Sequence, residues 1–172
     1  VPVVYNTSGF ESQDTLRKLN GKVQIYLPDL KYSDDKLAIK YSNAPYYFRI
    51  ATDAIKEMYR QVGDYKINDD GIMESGVIIR HLIMPGYLEN SKKVIDWVAQ
   101  NFKPGQVMFS LMHQYVPCGR AAEFPEINRK VTAEEYAEIE QYLMDSGIED
   151  GFVQEEEAAC TEFIPCFDGT GV

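Results

Sequence analysis

The sequence predicts an α/β fold built on parallel strands, and three observations carry that reading. Four short apolar runs rich in β-formers punctuate the chain, at residues 1–5, 22–27, 76–84 and 106–112. Amphipathic helical patterns lie between them. The chain of 172 residues is 45% hydrophobic and 26% charged, enough apolar side chain for one domain with its own core. Strands that alternate with helices run parallel and are joined by right-handed crossovers, in a sheet or in part of a barrel; periodicity does not separate the two.

Each element follows from local signals. The first helical pattern, residues 12–19, stops before Asn20-Gly21. Ser33, followed by Asp34 and Asp35, predicts an N-cap and an acidic first turn for a helix running to about Tyr41. Pro45 opens a longer helix with Phe48, Ala51, Ile55, Met58, Tyr59 and Val62 on one stripe and Gly63 as its C-cap. Asn68-Asp69-Asp70-Gly71 lies between two β-capable pieces, residues 65–67 and 72–73, which predicts a small hairpin inserted at the surface. After the third apolar run, Val94, Ile95, Val98 and Phe102 form a helix stripe closed by Lys103-Pro104-Gly105. Thr132 and Glu135 make a capping box for a last helix carrying Tyr136, Ile139 and Leu143, with Gly147 as its stop. The tail from residue 148 onward is acidic and partly apolar.

Charge narrows the function classes. A formal net charge of -10 and a pI near 4.7, with no basic stripe, argue against a nucleic-acid partner, whose affinity comes from Lys and Arg on phosphates. There is no apolar run of about eighteen residues and no signal-peptide pattern, so the expectation is a cytoplasmic protein without a membrane partner. Cys118, Cys160 and Cys166 fit neither a disulfide framework nor zinc or cluster spacing and read as free thiols, with a metal role for Cys160 and Cys166 as the lesser alternative. His81 and His113 each follow an apolar run and read equally as core imidazoles or as site residues. The first five residues are already apolar and β-rich, as if the chain entered mid-domain, so sequence missing upstream is expected.

Parallel α/β folds place their chemistry at the C-terminal ends of strands. The first run ends in Asn6-Thr7-Ser8-Gly9, side-chain oxygens that either cap the next helix or ligate a cation or amine. The second ends in Asp29-Leu30-Lys31, where alternation puts Asp29 and Lys31 on one face, as a structural ion pair or as a site for a zwitterion. Arg80 interrupts the third run, where an unpaired guanidinium is costly, so it faces an anion, a polar cavity or an internal carboxylate such as Asp29. The fourth delivers His113 and Tyr115 to one face if the strand continues that far.

The succession Asn6-Thr7-Ser8-Gly9, Asp29-Leu30-Lys31, and Ile79-Arg80 followed by Pro85-Gly86 resembles the later strands of the pyruvate formate-lyase activating enzymes, radical S-adenosylmethionine proteins. The likeness extends to an uncharacterised branch of that family through Ser42-Asn43-Ala44-Pro45 and residues 57–63. It implies a partial (β/α) barrel in which this single domain, residues 1–172, supplies parallel strands three to six of a six-stranded core. It implies S-adenosylmethionine near Asp29, Lys31, Arg80 and Leu82, with its methionine end near Asn6 and Thr7. It also implies a [4Fe-4S] cluster, a 5′-deoxyadenosyl radical, and a substrate near His113 and Tyr115, in some members a glycine of a partner glycyl-radical enzyme. The cluster motif C-x-x-x-C-x-x-C and the second-strand motif do not occur in the chain, and Gln114-Tyr115-Val116 keeps only the Tyr of the Pro-Tyr-His that follows the last strand in that family. Alone, the chain is therefore expected to be inactive and to bind neither cofactor well, with no metal site of its own.

Two rivals stay open on the residues. One is a non-catalytic interaction module whose strand-end charges are structural pairs. The other is a small α/β enzyme with an Asp29/His113 site. A final expectation concerns assembly: residues 1–5 form an uncharged edge strand that pairs with a second copy of the chain.

Overall fold

The computed structural model describes residues 1–153. Strand β1 (Val4–Thr7) leads through α1 (Gln13–Leu19) to β2 (Ile25–Pro28), then through α2 (Asp35–Ser42) and α3 (Tyr47–Val62) to the short β3 (Lys66–Ile67) and the long β4 (Met73–Leu82). Helix α4 (Leu88–Asn101), β5 (Met108–Met112), a 3-10 turn (Gly119–Glu123), α5 (Ala133–Asp145) and β6 (Gly151–Val153) complete it. The strand order is β1-β2-β4-β5-β6, every neighbour on that path parallel, with β3 antiparallel to the start of β4. The α/β fold with a parallel sheet is thus the one the apolar runs predict.

Strand order along the sheet is the same as order along the chain, so right-handed crossovers put the helices of these units on one side. The burial pattern agrees. Along β4, Val77, Ile79 and His81 are fully buried while Ile78, Arg80 and Leu82 alternate with them half-buried. The first set packs with Ala51, Ile55 and Met58 of α3 and Val94, Ile95 and Val98 of α4 into one core. The second set lines the face that carries no helix among the described residues, as on the inside of a partial barrel.

Local signals place most boundaries. Ser12 caps α1, and the Thr132–Glu135 capping box opens α5 in both directions. Gly63 ends α3. Ser33, however, does not cap α2: Asp34 does, accepting from the Lys36 N–H, because Ser33 gives its own N–H and hydroxyl to Asn90 Oδ1. The expected small hairpin around residues 68–71 is present, formed by the exposed β3 pairing antiparallel with the start of β4. Gly76 makes that pairing feasible: its φ is 134°, and a Cβ there would sit 2.5 Å from Tyr65 Cβ.

β6 is an addition to the four predicted strands. It pairs with β5 through Phe109↔Gly151 and Leu111↔Val153, so part of the acidic tail extends the sheet. The rest of the tail, with Cys160 and Cys166, lies outside the described residues. β1 is the edge strand at the other end, with Val1, Val3 and Val4 exposed. Among the described residues no helix is long and apolar enough to cross a membrane.

Candidate functional site

The C-terminal ends of β1, β2 and β4 bring four of the expected residues together on the open face. Asn6 stands opposite Leu27, two residues before Asp29 on the same face, and Asp29 bridges in register to Arg80, which stands opposite Ser110. Arg80 Nη2 donates to Asn6 Oδ1 at 2.6 Å and lies 2.6 Å from Asp29 Oδ1. Lys31 Nζ approaches the other carboxylate oxygen of Asp29, at 3.4 Å. The side chains of Asp29 and Arg80 are 14% and 24% exposed against 42% for Lys31, so the carboxylate and guanidinium are the shielded pair and the ammonium reaches solvent.

Arg80 therefore finds the internal carboxylate, but the pairing is incomplete. Its Nε is buried with no hydrogen-bond partner, and the Asp29 Oδ1 contact is an ion pair without hydrogen-bond alignment. One carboxylate also serves two cations, which leaves an excess of one positive charge at the rim. A group with an anionic end and an amine or hydroxyl would complete both halves.

The backbone beneath this cluster is fixed by three buried side chains. The Tyr47 hydroxyl, at the start of α3, faces the carbonyls of Ser8 and Asp29 at 3.0 Å and accepts from the Lys31 N–H. Burial raises its pKa above the ordinary phenol value, so it stays protonated. His81 Nδ1 donates to the Leu30 carbonyl at 2.7 Å, and its Nε2 accepts from Ser91 at 2.8 Å. Burial lowers the His81 pKa to about 4 against the opposing pull of the Leu30 carbonyl and the Asp29 charge, so the ring is neutral. Asn90 of α4 donates to the Lys31 carbonyl and accepts from Ser33. His81 is thus a satisfied core imidazole that positions the site from behind.

The turn after β1 divides its residues. Asn6 faces the cluster, whereas Thr7 points to the helix side, buried, and gives its hydroxyl to Glu11 Oε1 at 2.5 Å while accepting from the Gly9 N–H. Gly9 has φ 79°, and a Cβ on it would collide with the Asp29 carbonyl. That close approach is what seats the first turn against the second.

His113 and Tyr115 do not share a face, because β5 stops at Met112. His113 is buried with its ring 4.1 Å from that of Tyr136 on α5, its Nδ1 without a hydrogen-bond partner. It does not share the open face with Asp29, so the two are not assembled into one site. Tyr115 instead lines a cavity of about 440 Å³ together with Lys31 and Leu82, and its hydroxyl donates to the Ile127 carbonyl. Tyr47, Asn90 and this cavity are the functional features that the sequence signals miss. Among the described residues no group of three His, Cys, Asp or Glu is arranged to hold a metal ion, and Cys118 is exposed and unbridged.

No protein-family model matches the chain. Over 144 residues it is 33% identical to an uncharacterised protein of Methanocaldococcus jannaschii, a match that takes in 83% of this chain and 37% of that protein. The chain thus spans little more than a third of the length of the curated relative it matches. Among solved structures it is similar to a domain of pyruvate-formate lyase-activating enzyme from Bacteroides vulgatus, with a TM-score of 0.60 over 87% of this chain and 79% of that one. At 14% sequence identity this likeness establishes a shared fold.

Proposed function

We propose that this chain holds S-adenosylmethionine as one part of a radical enzyme of the pyruvate formate-lyase activating type. The observation that carries the reading is the incompletely paired cluster of Asn6, Asp29, Lys31 and Arg80 at the strand ends of the open face. These groups suit the ligand. The partly exposed guanidinium of Arg80 offers donors to its carboxylate, Asp29 offers an acceptor to its amine or ribose hydroxyls, and Lys31, at the solvent edge, stays available to a second anion. When bound, and given one electron by a reductant held outside the described residues, S-adenosylmethionine would supply a 5′-deoxyadenosyl radical able to take a hydrogen atom from a substrate, with methionine as the leaving group.

The chain's own residues bind and orient in this reading; none of them gives or takes a proton. Tyr47, His81 and Asn90 hold residues 29–33 so that the charged groups do not reorganise when ligand arrives. A [4Fe-4S] cluster does not fit the described residues, which offer Cys118 alone. The fold shared with an enzyme domain supports the reading over that of a passive interaction module.

The test is amide NMR of the chain with millimolar S-adenosylmethionine. Shifts centred on Asn6, Asp29 and Arg80 that vanish in Arg80→Gln support the proposal. Shifts scattered elsewhere, or none, would remove it.

A further inference from the structure

We infer that the cavity beside the cluster takes a small organic anion with an apolar body, and that this molecule, and not a segment of a partner protein, is the substrate. Only the word substrate rests on the function proposed above; the binding does not. At about 440 Å³ the cavity has the size of a pocket that encloses most of a small ligand. Its walls come from four segments: the end of β2, helix α2, the end of β4, and the loop that follows β5. Leu82, Met84, Tyr115 and Phe124 make the apolar part of that wall.

Its charge is the informative feature. The chain carries 27 acidic residues against 17 basic ones, yet among the described residues the cavity wall holds two cations, Lys31 and Arg120, and no carboxylate. The two cations differ in what they can do. Arg120 is spent on Glu123, which it meets through Nε and Nη2 at 2.7 to 3.1 Å. Among the described residues Lys31 Nζ has one long contact, with an Asp29 that Arg80 already engages. The nearby Glu126 is occupied by Lys40 and by the Tyr41 hydroxyl. Lys31 is therefore the anchor for an anion, and the aromatic and aliphatic wall receives the body attached to it. Leu82 and Arg80 lie on the same face of β4, so a molecule in this cavity is next to the cluster.

The experiment compares three probes of one shape, phenylpropionate, phenylpropanol and phenylpropylamine, on the 172-residue chain by calorimetry and amide NMR. The carboxylate is expected to bind about tenfold more tightly than the alcohol, with the amine weakest. Its shifts should centre on Lys31, Leu82, Tyr115 and Phe124. Lys31→Met should bring the acid down to the affinity of the alcohol, and Cys118→Trp, which fills the cavity from an exposed position, should weaken all three. Ala121→Trp gives a second filled cavity should either variant fail to fold. Equal affinity for acid and amine, or shifts away from these residues, would overturn the inference. A peptide of Gly-rich sequence that binds there more tightly than any probe would also overturn it, in favour of a protein substrate. S-adenosylmethionine shifts at Asn6 and Arg80 should persist in Cys118→Trp; their loss from the parent chain would remove the function proposed above and leave the anion result standing.

Discussion

Two strand ends meet at the mouth of this molecule, and they are built on different principles. Residues 29–33, after β2, are held from beneath by the neutral, buried side chains of Tyr47, His81 and Asn90, each from a different element. Residues 113–130, after β5, are held largely at the surface, by the Lys40–Glu126 pair, the Tyr41–Glu126 hydrogen bond and the bidentate Arg129–Glu135 pair, with one part-buried bond of their own from Tyr115 to Ile127. Exposed ion pairs contribute little and are weakened by salt, whereas a buried hydrogen bond that loses one partner leaves the other unsatisfied. The first end is thus suited to keeping charges in fixed positions, and the second to yielding to a ligand.

The contrast can be broken most severely at His81. His81→Ala empties a fully buried site and strands both the Leu30 carbonyl and the Ser91 hydroxyl, and is expected to cost about 4 kcal/mol in denaturant unfolding. Acid should act through the same residue. The folded-state pKa of about 4 lies below the ordinary 6.5, so between these two values the unfolded chain takes up a proton that the folded one refuses. Stability should fall by up to about 3 kcal/mol as pH drops through that window, with no further loss from this group below it. Urea midpoints measured across the window check this, and a flat profile would contradict the neutral buried ring.

Ligand binding gives the next effect. In the whole protein, Arg80→Ala should weaken S-adenosylmethionine by about 1.5 to 3 kcal/mol, the range of a charge-assisted hydrogen bond, and an unchanged dissociation constant by calorimetry would leave Arg80 as a structural partner of Asp29. The smallest effects come from a matched pair of hydroxyl deletions. Tyr47→Phe removes the acceptor of the part-buried Lys31 N–H and the donor facing two carbonyls and should cost about 2 kcal/mol, while Tyr115→Phe, which loses one bond to Ile127, should cost about 1 kcal/mol or less. Equal losses would mean that the two strand ends are not held differently after all.

Much of this was legible in the sequence wherever a residue violated its local pattern. Arg80 stood out because a guanidinium in an apolar run must be compensated, and Asp29 and Lys31 because a strand sets their common face. The buried supports stayed hidden for the opposite reason. Tyr47 and His81 look like ordinary core residues, since their partners are backbone carbonyls that only the tertiary fold brings near. Whether His113 and Tyr115 share a face turns on where β5 ends, and nothing local in the sequence marks that end at Met112. A three-residue β6 is below the length at which alternation can be read, and the cavity is walled in part by a loop without period.

The order of the strands has one more consequence, for how the chain acquires its shape. Along the main path each strand docks on the one laid down just before it, so pairing needs only the closure of one helix-containing loop at a time. Synthesis from the N-terminus presents the units in the sequence in which they stack, and each finds its template already waiting. Such a sheet can grow at its leading edge like a zipper, and a delay at any one unit holds back only those that come after it.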